Sequence, residues 1–147
     1  MKLINKLILI IFIILNYCIT ASAADNLFDE AKKKFEKKDY EKSKFLFQRN
    51  IVFNPKNAES YLYLAKIFNT EENQEEEEKN LDTTLLLEPN NEEAIYMLIN
   101  IQLDRSNFEK ANLLMNRFTS VCKKMCNKKK EISKSLQDFE ANNAKTN

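Results

Sequence analysis

A segment of this chain repeats with a fixed period. The stretch FNPKNAESYLYLAKIF begins at Phe53, and LEPNNEEAIYMLINIQ begins at Leu87, 34 residues later. Each copy has a proline, asparagine-rich turn residues, an acidic start and an apolar run at helical spacing. Self-similarity at this period is typical of a helix–turn–helix array, in which each unit buries its apolar face only against its neighbours. The repeat therefore predicts an all-α chain.

The same shift, applied backwards, aligns Ala65 with Ala31. A small side chain there lets paired helices approach closely, so enlarging Ala65 to Leu is expected to cost about 1–3 kcal/mol by overpacking. Asparagines follow each proline of the pattern. Asn57, and either Asn90 or Asn91, can cap the helix that comes next.

These residues resemble the tetratricopeptide repeat (TPR) family over about residues 24–121. The matching positions are Leu27, Ala31, Tyr40, Ser43, Phe47 and Pro55, then Tyr61, Ala65, Leu81 and Pro89, then Ile95, Phe108, Ala111, Met115 and Phe118. The resemblance implies a TPR-like superhelical array of three helix–turn–helix repeats, at about residues 24–57, 58–91 and 92–125. A capping helix at about 127–141 and a disordered tail at 142–147 would complete the chain.

Repeats 2 and 3 depart from the family pattern. Gln74 stands where an aromatic residue is usual, Glu77 where a small residue is usual, and Ile99 replaces the small residue of repeat 3. The second helix of repeat 2 is therefore expected to be displaced or loosely packed. Ankyrin repeats have a similar period, but a chain with no glycine cannot build their glycine-rich turn.

The resemblance also implies a binding site, because the first helices of TPR repeats line a concave groove that holds a peptide or a partner helix. By register, the groove residues are Phe28, Lys32, Phe35, Leu62, Tyr63, Lys66, Asn69, Tyr96, Asn100 and Leu103. Phe35, Leu62 and Leu103 fit a packing role equally well. The pattern that clamps the carboxylate tails of cytosolic chaperones is not met, since Tyr63, Glu93 and Met97 occupy its asparagine or basic positions.

Composition narrows the function classes. The chain has no histidine, the commonest general base and metal ligand, and no glycine for a phosphate-binding loop. Its formal net charge of +1 argues against nucleic acid, whose binding depends on neutralising phosphates. The sequence therefore predicts a protein that is not an enzyme, with no cofactor, no metal and no small-molecule substrate.

The N-terminus has the layout of a secretory signal peptide, residues 1–23. Lys2 and Lys6 precede an apolar run, Leu7–Leu15, and Ala21-Ser22-Ala23 offers a cleavage point after Ala23. An uncleaved membrane anchor is one alternative, although a membrane span needs roughly 20 apolar residues. Lipid modification of Cys18 is another. The predicted location is the periplasm.

Cys122 and Cys126 remain after cleavage at Ala23. An even number of cysteines in an exported chain predicts a disulfide, which would close a short loop and contribute about 2 kcal/mol. The alternative is two free thiols on one continuous helix, since apolar residues keep near-heptad spacing through this stretch. Beyond the cysteines, Ile132, Leu136 and Phe139 are expected to cover repeat 3, as a capping helix does.

Three charged segments are expected to be solvated. The run TEENQEEEEK, Thr70–Lys79, could be a cation site or a docking patch, but it lacks the ligand spacing of a calcium site. Basic clusters at residues 32–38 and 123–130 could meet anionic lipid or an acidic protein. Interleaved glutamates favour a solvated face for both.

Together, these features predict a small exported TPR-like domain that binds another protein or peptide of the cell envelope, as a scaffold or assembly adaptor. Self-association is an alternative within the binding class. The alternative from another class is a thiol- or disulfide-dependent redox or maturation factor that uses Cys122 and Cys126.

Overall fold

A computed structural model describes residue 6 and residues 26–143, with side chains through residue 138. The expected signal peptide, apart from Lys6, and the last four residues of the expected tail lie outside the described residues. Residues 26–143 contain seven helices and no strand, which confirms the all-α prediction. The helices are α1 (26–36), α2 (Tyr40–Phe53), α3 (Ala58–Thr70), α4 (Gln74–Leu87), α5 (Glu92–Asp104), α6 (Phe108–Val121) and α7 (Lys128–Asn143).

The helices follow the 34-residue period closely. The bounds of α2, shifted by 34 and then by 68 residues, give those of α4 and α6. The same shift converts the bounds of α3 into those of α5. Helix α4 therefore begins and ends in register, and its Leu81 and Leu85 are buried, so the expectation of a displaced or loosely packed second helix in repeat 2 is wrong.

Each helix pair turns through one residue in the left-handed region of backbone conformation. These residues are Lys38 at φ 59°, Glu72 at φ 56° and Ser106 at φ 56°. The next residue closes the turn by donating its N–H to a carbonyl five positions back, as Asn107 does to Gln102 over 2.8 Å. Glycine is the usual residue at such a position, because a side chain makes the left-handed conformation less favourable. Each of the three turns is therefore less stable than it would be with glycine.

Asparagine side chains start the first helices of repeats 2 and 3. The Asn57 side-chain oxygen accepts the Ser60 N–H over 2.8 Å, and that of Asn91 accepts the Ala94 N–H over 3.0 Å. Both satisfy backbone donors that have no partner inside the helix. The predicted capping by Asn57 is confirmed, and of the two candidates before α5 it is Asn91 that caps.

The chain divides into two compact units, residues 1–64 and 65–147, called here the N-terminal and C-terminal units. In the N-terminal unit, Ala31 and Phe47 are fully buried. The Ser43 hydroxyl donates to the Ala31 carbonyl over 2.9 Å, and the Ser60 hydroxyl donates to Asn50 Oδ1 over 2.9 Å. Small side chains thus let the helices approach, while their hydroxyls satisfy buried polar groups.

The C-terminal unit has an apolar core that runs through α3 to α7. Its buried members are Ala65, Ile67, Leu81, Leu85, Ala94, Ile95, Leu98, Ile99, Ile101, Ala111, Leu114, Phe118, Ile132 and Leu136. Ile99 is fully buried, so repeat 3 accommodates a larger residue at the position where the TPR pattern has a small one. No helix among the described residues is long and apolar enough to cross a membrane.

The last two helices are separate. Helix α6 ends at Val121 and α7 begins at Lys128, which excludes the continuous-helix alternative. Helix α7 packs against α5 and α6, and its Ile132 and Leu136 are buried as expected of a capping helix. It continues to Asn143, two residues beyond the predicted end. The side chain of Phe139 lies outside the described residues.

Candidate binding surface

An aromatic cluster joins α1, α2 and the start of α3, all within the described part of the N-terminal unit. The Tyr63 ring stacks on the Phe47 ring at a centroid distance of 4.9 Å and meets the edge of Phe35 at 5.1 Å. The Phe28 ring lies 5.7 Å from Phe47. Phe47 is fully buried, whereas Phe28, Phe35 and Tyr63 are half-buried. These three half-buried rings form the aromatic surface, which rests on Phe47.

Helical periodicity places Lys32 within this surface. Phe28, Lys32 and Phe35 are separated by four and then three residues, so they share one face of α1. Lys34, on another face, lies 3.7 Å from an Asp39 carboxylate oxygen. The half-buried Lys32 has no ion pair or hydrogen bond within the part of the chain that the structure describes. The aromatic surface thus carries an uncompensated positive charge.

Leu62 behaves differently from the other groove residues predicted in this unit. Its side chain is 6% exposed, so it offers no surface to a ligand. Of the two roles that the sequence left open for Leu62, burial favours packing. Phe35 combines both roles, because its ring contacts Tyr40 and Tyr63 yet stays half exposed.

In the C-terminal unit, two of the predicted groove residues already have partners. The Lys66 ammonium lies 2.8 Å from a Glu93 carboxylate oxygen. The Asn69 amide donates to both carboxylate oxygens of Glu77, over 3.1 and 3.2 Å. Glu77 is buried, and its burial raises the pKa of the carboxyl while the Asn69 hydrogen bond lowers it. These polar groups connect helices within the unit.

Tyr96, the third predicted groove residue of this unit, binds the capping helix. Its hydroxyl donates to Glu131 over 2.7 Å, and the Lys128 ammonium lies 5.2 Å from the centre of its ring. Lys128 also donates to Glu131 over 2.8 Å. The hydrogen bond from Lys128 has the largest effect in lowering the pKa of the Glu131 carboxyl, and the bond from Tyr96 lowers it further. The remaining two, Asn100 and Leu103, are half-buried.

Glu92 makes a contact that the sequence did not reveal. Its carboxylate accepts the backbone N–H groups of Lys124, over 3.0 Å, and Met125, over 2.8 Å. These bonds, that of Met125 foremost, lower the pKa of the Glu92 carboxyl. The loop it holds lies between Cys122 and Cys126, whose Cα atoms are 5.3 Å apart.

The glutamate run at 70–79 is only partly solvated. Besides the buried Glu77, Glu78 joins three helices: Arg105 donates to it, Gln102 donates over 3.2 Å, and the Lys110 ammonium lies 3.4 Å away. Burial raises the pKa of Glu78, but the hydrogen bonds and charges of Arg105 and Lys110 outweigh it and leave that pKa lowered. Among the described residues, no group of three or more His, Cys, Asp or Glu could hold a metal ion.

No protein-family model matches the sequence, and no curated protein is significantly similar to it. Solved structures do match. The TPR domain of Arabidopsis OM64 superposes with a TM-score of 0.73 at 15% identity, covering 82% of this chain and 98% of that one. The type III secretion chaperone SycD of Yersinia enterocolitica, in complex with a peptide of the translocator YopD, gives 0.71 at 11% identity, covering 83% and 95%.

A third match is the first TPR of Spaghetti (RPAP3) bound to the HSP90 peptide SRMEEVD, with a TM-score of 0.66 at 15% identity, covering 78% of this chain and 95% of that one. The class of the protein is thus an all-α array of helical repeats. Its fold is the TPR fold.

Proposed function

We propose that this protein is a non-catalytic interaction module, a scaffold or adaptor that binds a polypeptide of the cell envelope along its first helices, in the groove implied by the TPR resemblance. The aromatic surface carries this proposal. Three half-exposed rings beside an uncompensated lysine offer apolar contact area and one fixed charge, the combination that peptide sites use. Solved neighbours that hold a translocator peptide or an HSP90 peptide support binding of this general kind.

The residues of the N-terminal unit define the chemistry of the ligand. Phe28, Phe35 and Tyr63 favour a segment with apolar or aromatic side chains, and Lys32 favours a carboxylate next to them. The acidic tail of a cytosolic chaperone is not the ligand we propose. Glu93 would present a like charge at a position where the clamp pattern needs asparagine or a basic residue.

We further propose that the chain is exported and that its signal peptide is cleaved after Ala23. The charged start, the apolar run and the small residues before the cleavage point support this location. An intact-mass measurement on the protein isolated from expressing cells tests it. A mass that begins at Ala24 is expected, and a mass that still includes Met1 would favour the membrane-anchored form.

In the exported protein we propose that Cys122 and Cys126 are bridged and that the bridge is structural. The bridge would restrict the loop from which the Lys124 and Met125 N–H groups donate to Glu92. It would thereby help to fix the start of α7. The alternative, a redox or maturation factor, needs the thiols for activity. A Cys122→Ser, Cys126→Ser variant that still binds its partner would eliminate the redox alternative.

A pull-down from envelope extract tests the binding proposal. A variant with Lys32→Glu and Phe35→Ala is compared with wild type and with Lys33→Glu, a control with the same charge reversal on an exposed neighbouring residue. The helix content of each protein is checked by circular dichroism. A partner retained by wild type and the control, but lost by the double variant, is the expected result.

Two other results would contradict the proposal. If all three proteins bring down the same partner, the aromatic surface is not the binding site. If none holds a partner and the protein sediments as an oligomer, self-association becomes the function to study.

A further inference from the structure

The second basic cluster is less balanced by acid than the first. Residues 123–137 include six lysines and a single acidic residue, Glu131. The lysines are Lys123, Lys124, Lys128, Lys129, Lys130 and Lys134. Around the first cluster, residues 32–38, acidic residues lie before, within and after the lysines, at Asp29, Glu30, Glu36 and Asp39. This asymmetry singles out the C-terminal end of the chain as a strongly charged surface.

The one acid of the segment is already used inside the fold. Glu131 binds Lys128 over 2.8 Å and the Tyr96 hydroxyl over 2.7 Å. Within residues 26–138, Lys129, Lys130 and Lys134 form no ion pair or side-chain hydrogen bond. Their charges therefore act outward on whatever meets this side of the protein.

Helix geometry places Lys130 and Lys134 away from the core, whereas the half-buried Lys129 lies beside the buried stripe. Ile132 and Leu136 are buried, and a residue two positions along a helix points about 200° away. Lys130 and Lys134 therefore lie opposite the buried stripe, and both are exposed. Lys129, Lys130, Ser133, Lys134 and Gln137 line one open depression. We call Lys129, Lys130 and Lys134 the lysine face.

We propose that the lysine face of α7 binds the anionic lipid surface of a membrane. Lysine is a compact, strongly hydrated charge that is depleted from protein interfaces, where aromatic residues and arginine act as anchors. The lysine face has neither, and the apolar side chains of α7 that the structure describes, Ile132 and Leu136, are buried in the core. Clusters of about four to eight basic residues are attracted to anionic headgroups without inserting into the bilayer. The lysine face reaches this number only together with the other lysines of its segment, of which Lys123 and Lys124 are also exposed.

Vesicle sedimentation tests this inference. The protein as isolated from cells is mixed with vesicles of phosphatidylcholine plus phosphatidylglycerol, and with vesicles of phosphatidylcholine alone. The second set measures any binding through the apolar N-terminal segment. The variant Lys129→Gln, Lys130→Gln, Lys134→Gln is expected to bind the anionic vesicles about a hundredfold more weakly than wild type. Added salt should weaken wild-type binding in the same direction.

A matched control removes the same charge elsewhere, through Lys33→Gln, Lys37→Gln and Lys56→Gln, all exposed. Its binding should stay within about threefold of wild type. Equal loss in both variants would mean that net charge alone matters, and would overturn the proposal. So would a wild-type protein with no preference for anionic vesicles.

An acidic protein partner is the competing occupant. If polyglutamate is captured through the same three lysines while anionic vesicles are not, the face docks acidic protein and the membrane proposal is wrong. The inference does not depend on the aromatic surface, because the Lys32→Glu, Phe35→Ala variant keeps the lysine face intact.

Discussion

The two units place different chemistry at equivalent positions of the repeat. Lys32 and Lys66 are 34 residues apart, yet Lys32 has no partner among the described residues while Lys66 lies 2.8 Å from Glu93. Phe35 is part of the aromatic surface, whereas its equivalent, Asn69, donates to the buried Glu77. Register determines where a side chain lies. Its neighbours determine whether that side chain is available to a ligand.

This difference implies separate roles for the two units, ligand binding in one and attachment of α7 in the other. In the N-terminal unit, rings cover the buried Phe47 and leave aromatic surface exposed. In the C-terminal unit, Tyr96 is hydrogen-bonded to α7, and Glu92 is hydrogen-bonded to the loop before α7. These polar groups therefore stabilise the fold and are not available to a ligand. We therefore expect binding to depend mainly on the N-terminal unit, and the attachment of α7 on the C-terminal unit.

The largest effect on stability should come from Phe47→Ala. Phe47 is fully buried beneath the aromatic surface, and removal of such a ring leaves a cavity that costs about 3–5 kcal/mol. Urea unfolding followed by circular dichroism measures the change. Phe47→Leu, which copies Leu81 at the equivalent position of repeat 2, should recover a large part of the loss. A cost below about 1 kcal/mol for Phe47→Ala would show that the ring is not packed as described.

Replacing both Cys122 and Cys126 by serine should destabilise the C-terminal unit. The double serine variant is expected to lose about 2 kcal/mol, because it would lack the proposed disulfide, which restricts the short loop in the unfolded chain. Hydrogen exchange should be faster at the α7 amides and unchanged in α1 and α2. Faster exchange throughout the chain would contradict a local role.

Glu77→Gln should change how stability depends on pH. Burial raises the folded pKa of Glu77 above 4.5, so the folded state binds the proton more tightly than the unfolded state. This contribution is complete below pH 4.5 and is lost as the pH rises through the folded pKa. Glutamine stays neutral and can still accept the Asn69 bond. The variant should be more stable at pH 7 by about 1 kcal/mol.

Unfolding measured from pH 4 to pH 8 checks this prediction. Glu75→Gln removes one exposed carboxylate from the same helix and serves as the control for the loss of a charge. A Glu77→Gln protein that is less stable than wild type at pH 7 would show that the ionised carboxylate is favoured in the fold.

The smallest effects should come from the three turns. Lys38→Gly, Glu72→Gly and Ser106→Gly each place glycine at a positive φ, and each should stabilise the protein by about 0.5–1 kcal/mol. Similar gains in both units would show that the turns are equivalent even where the surfaces differ. Lys37→Gly, one position earlier, should give no gain. Thermal unfolding resolves these differences.

The sequence predicted the helices because their signals are local. Asn57 and Asn91 cap the helices that follow them, and the 34-residue shift reproduces the helix bounds. The contact of Glu92 with Lys124 and Met125 could not be predicted in this way, because it joins residues more than 30 positions apart. The sequence showed that Glu77 stands where the pattern has a small residue. It did not show how the buried carboxylate is satisfied, because that depends on a hydrogen bond from Asn69.

Site-directed photo-crosslinking tests most directly whether the free binding surface lies in the N-terminal unit. A photoreactive benzoylphenylalanine is placed at position 32, 33 or 66 of the protein in expressing cells, and adducts are identified by mass spectrometry. We expect a partner polypeptide to be crosslinked at position 32, with little at positions 33 and 66. Adducts at position 66 without any at position 32 would contradict it.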